Sequence, residues 1–181
     1  MDEHEIKKYR QQYATPQAFF DWVESEYICA KFTIDVCASP HNAKCEKFYT
    51  EFDDGLRLDW GNPGDFAWCN PEFKEAGKWL EKAYEQARRG VRSCVLTHWD
   101  HSTEWFGFAD SHATSCAMIA PRINFDQHPL LIEHMVKNGI KPSGNDKQNA
   151  LWYFEDMRVD QIFTQMCRYR LVQWRARKMS R

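Results

Sequence analysis

The chain has no apolar run near the roughly 20 residues that a membrane span requires, and its mean hydropathy is -0.70. Its start, Met1-Asp2-Glu3-His4-Glu5, is acidic where a secretory signal is basic and then greasy. A soluble, cytoplasmic protein is expected. There is no Cys-x-x-Cys pair, and the seven cysteines are odd in number and scattered, which points to reduced thiols rather than a disulfide framework. Cys37 and Cys45 flank His41, and His98 and His101 lie close together, but neither spacing matches a zinc motif, so no metal is expected. A Gly-x-Gly-x-x-Gly loop is also missing, which removes the general dinucleotide fingerprint. Repeats and Ser/Gly linkers are absent, so the 181 residues are expected to form a single domain.

Aromatic and aliphatic residues, by contrast, are plentiful. Hydrophobic residues make up 43% and aromatics 15%, with eight Trp and twelve Phe, enough apolar area for a packed core. The net charge of -2 conceals an asymmetry. Six basic residues, Arg168, Arg170, Arg175, Arg177, Lys178 and Arg181, stand in the last fourteen positions without an acid, leaving 18 basic and 26 acidic groups before them. This tail at 168–181 reads either as a phosphate-contacting arm or as a solvated terminal strand or helix.

Periodicity predicts alternating strands and helices. Thr15-Pro16 resembles a helix start, with Thr15 as the cap and Pro16 in the first turn, before Phe19, Phe20, Val23 and Tyr27 at helical spacing. Lys31–Cys37 reads as a strand, Leu56–Trp60 as a second short one and Phe66–Cys69 as a third; a helix carrying Ala76, Leu80, Ala83 and Ala87 follows and ends at Gly90. Val91–Thr97 and Ser115–Ala120 read as strands, Ser102–Ala109 as a short helix and Asn149–Phe154 as the last strand. Residues 121–147, with Pro129, Gly139, Pro142 and Gly144 around an apolar patch, Leu130–Val136, read as an insertion or long hairpin. Such alternation argues an α/β fold with a mostly parallel sheet and helices on both faces, whose ligands sit beyond the carboxyl ends of the strands. Asp35–Ser39, Asp59-Trp60 and Asn70-Pro71 all fall at such ends.

Asn70-Pro71-Glu72-Phe73 has a specific chemical use. An exocyclic or amide nitrogen is a poor nucleophile because its lone pair is delocalised. Two acceptors, the Asn70 side-chain oxygen and the Pro71 carbonyl, would each take one N–H and free that lone pair. Proline's fixed φ helps aim the carbonyl, and Phe73 offers a stacking face to the ring that bears the amine. Asn-Pro is also a common turn dipeptide, Thr15 reads equally as a simple cap, and Asp35 and Asp59 equally as strand-end turn residues.

The order of Thr15-Pro16, then Thr33-Ile-Asp35-Val-Cys-Ala38-Ser39-Pro-His-Asn42-Ala43-Lys44-Cys45, Asp54-Gly55-Leu56-Arg-Leu-Asp59-Trp60 and Trp68-Cys-Asn70-Pro71-x-Phe73, resembles the phage-type DNA N6-adenine methyltransferases over roughly residues 14–154. The resemblance implies a Rossmann-like fold, S-adenosylmethionine as cofactor, double-stranded DNA as partner, and host cytoplasm as the place of action. It implies that Thr15, beside Pro16, binds the methionine carboxylate, that Asp35, Ala38 and Ser39 cradle the cofactor, and that Asp59 lies near its nucleoside. Asn70, Pro71 and Phe73 would hold a flipped adenine. Arg122 and the tail residues Arg175, Arg177 and Lys178 are the candidate DNA contacts. Glu72 departs from the family's Asn-Pro-Pro-aromatic motif and brings a carboxylate to a site meant for a sulfonium, either to steady positive charge and accept a proton or as the mark of an impaired enzyme. A catalytically impaired DNA-binding relative, and a methyltransferase of RNA adenine or protein glutamine, are the alternatives.

Overall fold

The computed structural model describes residues 1–9, 13–141, 145–156 and 169–174. Helices α1 (Glu3–Tyr9) and α2 (Gln17–Trp22) come first, and α2 runs on into a π-helical turn, Val23–Tyr27. Strands β1 (Ile34–Asp35) and β2 (Phe66–Cys69) follow, then a 3₁₀ turn, Phe73–Glu75, that leads into α3 (Ala76–Ala87). The chain continues through β3 (Arg92–His98), α4 (Glu104–His112), β4 (Ser115–Ala120), α5 (Pro129–Lys137), β5 (Asn149–Phe154) and β6 (Tyr169–Gln173). The six strands form one sheet in the order β1-β2-β3-β5-β4-β6. Only β5 runs antiparallel to its neighbours, so the sheet is mostly parallel, as expected.

Alternation along the strands divides the core in two, because successive side chains point to opposite faces. Ala67 and Cys69 of β2, Val95 of β3 and Trp152 of β5 pack with Leu80, Ala83 and Ala87 of α3 and Ala109 of α4. Phe66 and Trp68 of β2, Cys94 and Leu96 of β3 and Leu151 of β5 pack with Phe19, Phe20 and Val23 on the other face. Helices therefore cover both faces. Small residues at 76, 83 and 87 let α3 lie close to the sheet, and Gly90, at φ 87, turns the chain back into β3.

Several elements differ from the sequence-based expectation. Leu56–Trp60 is not a strand: Trp60 is fully buried, and its indole N–H donates to the Gly55 carbonyl (2.8 Å) while its backbone N–H donates to Gln86 Oε1 (2.9 Å). A buried anchor shapes that segment, not a ladder. Thr15 does not cap α2; Pro16 holds the cap position, with no side-chain cap bond. Residues 129–137 form a helix rather than one arm of a hairpin, with the His128 ring accepting from the Leu130 N–H (3.2 Å) at its start. The basic tail begins as strand β6, paired in parallel with β4. No helix among the described residues is long and apolar enough to cross a membrane.

Candidate active site

The parallel strands β1, β2 and β3 end on one edge of the sheet, and one cavity of about 340 Å³ joins the exits of β1 and β2. Val36–Pro40 and Asn42 line it from the first, Asn70–Phe73 from the second, Thr50–Phe52 and Asp54–Leu56 from the connecting segment, and Tyr13 and Trp79 from neighbouring elements. Its carboxylates are Glu51, Asp54, Glu72 and Glu75, and among the described residues no Lys, Arg or His lines it. Lys74 pairs with Glu72 (2.8 Å) and Lys78 with Glu75 (2.6 Å), so the negative bias of the wall is partly offset from outside it.

Asn70 leaves β2 with its amide nitrogen committed: Nδ2 donates to the Tyr13 carbonyl at 3.0 Å. Its Oδ1 is buried and has no hydrogen-bond partner. An orphaned buried acceptor costs about 1–3 kcal/mol, and the described residues supply this oxygen with no donor. Pro71 beside it is buried. Phe73 is already held, its ring 3.7 Å between centroids from His98 and 5.9 Å from Phe125, so it presents a fixed face. Desolvation, reinforced by Lys147, lowers the His98 pKa to about 4, so this ring partner is neutral at physiological pH.

Asp35 lies beneath the cavity rather than in it. Buried, its carboxylate accepts the backbone N–H of Cys37 (3.3 Å) and of Lys44 (3.1 Å), closing the loop that carries Ala38 and Ser39 to the wall. Burial raises its pKa to about 6 against the pull of those two N–H groups. Within this loop the Ser39 N–H donates to Asn42 Oδ1 at 2.7 Å. Cys37 also lines the cavity, but burial, with the charges of Asp35 and Glu72, pushes its thiol up to about 12. It is a thiol, not a thiolate nucleophile.

The remaining candidates divide. Thr15 is buried with an unpartnered hydroxyl, but neither it nor Pro16 lines the cavity. Asp59 is exposed, outside the cavity, and clasped by the Arg89 guanidinium, which holds its carboxyl below the usual range. Glu72 is at the wall and exposed, paired with Lys74 at 2.8 Å. Arg122 is exposed and donates to the Asp146 carbonyl at 2.7 Å, tying together the two ends of the segment around α5. Arg175, Arg177 and Lys178 lie outside the described residues. Among the described residues, no group of three or more His, Cys, Asp or Glu is gathered to hold a metal.

Sequence reasoning gave no role to Tyr13, whose carbonyl orients Asn70, or to Asp54, which enters it only in the order of the motif residues. The signal for Asp54 was present. Gly55 follows it, and a Cβ there would stand 2.3 Å from the Val36 carbonyl oxygen and 3.1 Å from the Trp79 ring. Only glycine lets the two walls approach so closely. Gly55→Ala is accordingly expected to destabilise the fold by about 1–3 kcal/mol through overpacking, read as a lowered urea midpoint, and to displace the Asp54 wall.

The pattern that defines the DNA N-6-adenine-methyltransferase (Dam) family matches residues 2–175. A DNA N-6-adenine-methyltransferase of Escherichia phage T1 is 30% identical over 160 residues, which is 84% of this chain and 66% of the relative. The chain thus spans just under two thirds of that relative's length. The family match runs through both cavity walls and nearly from end to end, and the chain belongs to the DNA N-6-adenine-methyltransferase (Dam) family.

Proposed function

We propose that this chain transfers a methyl group from S-adenosylmethionine to the exocyclic amine of an adenine in double-stranded DNA, as one methyltransferase domain over residues 1–181. The observation that carries the reading is the buried, unpartnered Asn70 Oδ1 beside a cavity that spans the exits of β1 and β2. S-adenosylmethionine, when bound, supplies an electrophilic methyl on a cationic sulfur. The wall suits such a guest, carrying four carboxylates and, among the described residues, no Lys, Arg or His. Ala38 and Ser39 would hold its amino-acid portion, and Asp54, rather than the Arg89-bound Asp59, a ribose hydroxyl.

Toward the adenine, Asn70 Oδ1 and the Pro71 carbonyl would each accept one N–H of the amine and free its nitrogen lone pair; as the N–C bond forms the methyl–sulfur bond breaks, a neutral thioether leaves, and the surplus proton of the amine passes to solvent. Fixed Tyr13 and Phe73 contacts keep both acceptors and the stacking face in place, so orientation supplies the acceleration. With the Cys37 thiol protonated, the chain presents no thiolate there for a covalent intermediate. An adenine in duplex DNA must leave the stack to reach this cavity, at a cost of a few kcal/mol. Arg122 and the basic tail would offset it through phosphate contacts.

Glu72 fits an active site better than the motif departure implies. Its φ of -57° and ψ of 124° already have the values of a proline, so a ring there needs no change of path, and what a proline would remove is the Glu72 N–H that faces the Cys37 sulfur. Lys74 balances its charge. Glu72→Pro is therefore expected to fold, to shift stability by no more than about 1 kcal/mol, and to retain turnover; loss of all transfer in a folded Glu72→Pro protein would count against the site. Offering DNA, RNA and protein side by side with labelled S-adenosylmethionine tests the substrate class. Label is expected in DNA, and label confined to RNA or protein would refute the assignment.

A further inference from the structure

Phe52 is 92% exposed, whereas every other phenylalanine among the described residues is buried or half-buried. A lone exposed apolar side chain needs no explanation in general. Phe52 differs because it stands on the wall of the cavity, on a turn that is tightly braced. The Thr50 N–H and hydroxyl both donate to Asp53 Oδ2 (2.8 and 2.7 Å), and the N–H groups of Asp53 and Asp54 return to the Thr50 carbonyl (3.1 and 3.3 Å). The turn hangs from the β1 exit through Tyr49, whose N–H donates to the Asp35 carbonyl and whose carbonyl accepts the Ala38 N–H. The ring is thus presented to water by a preorganised support.

The neighbours of Phe52 restrict what it can meet. Glu51, Asp53 and Asp54 surround it in sequence, so the phosphate backbone of a nucleic acid is repelled from this rim. A neutral planar ring on a molecule without phosphate is not. Beyond it, Gly55, Leu56 and Trp79 provide an apolar stretch of wall suited to a flat ring. We propose that Phe52 caps the adenine ring of the cofactor's nucleoside, and that the acidic turn bearing it admits nucleosides while excluding nucleotides. This rests on the S-adenosylmethionine reading. It assigns Phe52 to the cofactor side because its turn is tied to the β1 exit, not to the Asn70 wall.

The test is binding of S-adenosylhomocysteine and of 5′-methylthioadenosine, which keeps the base and ribose but lacks the amino acid, to the full chain by calorimetry. Phe52→Ala is expected to weaken both by about tenfold, the loss of one base–aromatic stack, while Phe52→Tyr stays within twofold of wild type. Adenosine monophosphate is expected to bind far more weakly than 5′-methylthioadenosine. The ring is exposed, so the alanine variant should fold as wild type by circular dichroism. Unchanged affinity for both nucleosides in Phe52→Ala overturns the proposal, as does a loss confined to DNA binding, which would move Phe52 to the substrate side. Wild-type protein that binds neither nucleoside overturns the cofactor reading as well, so the two failures are distinguishable.

Discussion

Asn70→Ala should lower the turnover number by about a thousandfold, the range lost when a preorganised hydrogen-bonding group at the reacting centre is removed. Affinity for S-adenosylhomocysteine should stay within a few-fold of wild type, because the substitution falls on the β2 side of the cavity. Stability should change little, and the reason is instructive. Truncation removes the 3.0 Å tie to the Tyr13 carbonyl, worth about 1 kcal/mol, but it also removes an unpaired buried acceptor that costs about 1–3 kcal/mol. A side chain kept for stability alone would show the reverse pattern, a fall in thermal midpoint with transfer intact. Single-turnover kinetics alongside thermal unfolding separates the two.

Asp35→Asn should change the pH dependence of folding. Burial lifts the native Asp35 pKa to about 6 from an ordinary 3.8, so between those values the native state binds more protons than the unfolded chain. The stability linked to this group is full below the lower value and is lost as pH rises through the upper one, a difference of about 2–3 kcal/mol. His98 acts in the opposite sense: its native pKa of about 4 lies below 6.5, so its contribution is present above 6.5 and is lost as pH falls through 4. The two slopes oppose each other in wild type. With Asn at 35 nothing from that position opposes the His98 slope, and the variant should lose stability relative to wild type by about 2–3 kcal/mol more at pH 4 than at pH 7. Urea titrations at the two pH values give this double difference, in which groups that titrate alike in both proteins cancel. A penalty equal at both pH values would show that burial leaves the Asp35 pKa at its unfolded value.

Much of the fold is legible where burial follows a simple period. Leu80, Ala83 and Ala87 mark α3, and the fully apolar Phe66–Cys69 marks a strand buried on both faces. Failures arise where a residue has two uses. Pro129 and Gly139 were counted as turn-formers of a hairpin, yet Pro129 occupies the first turn of α5 and Gly139, at φ 64, ends it. Trp60 completes an apolar run that reads as a strand, but it is the plug of a turn, bonded to Gly55 and Gln86. The Asn70–Phe73 tetrad was legible as a candidate because its proposed chemistry is local. The roles of Asp35, Asp54 and Asp59 were not, since no spacing tells a carboxylate turned under a loop from one on a cavity wall or one clasped by an arginine thirty residues away. Tyr13 was beyond reach for the same reason: it contributes a backbone carbonyl, which has no residue-type signature.

Incubation of an unmethylated DNA duplex with the protein and methyl-labelled S-adenosylmethionine, followed by digestion to nucleosides, addresses the central claim most directly. Label should appear as N6-methyladenine with wild-type protein and vanish with Asn70→Ala. Label on cytosine, or equal labelling by both proteins, would contradict the grip of Asn70 and Pro71 on an adenine amine.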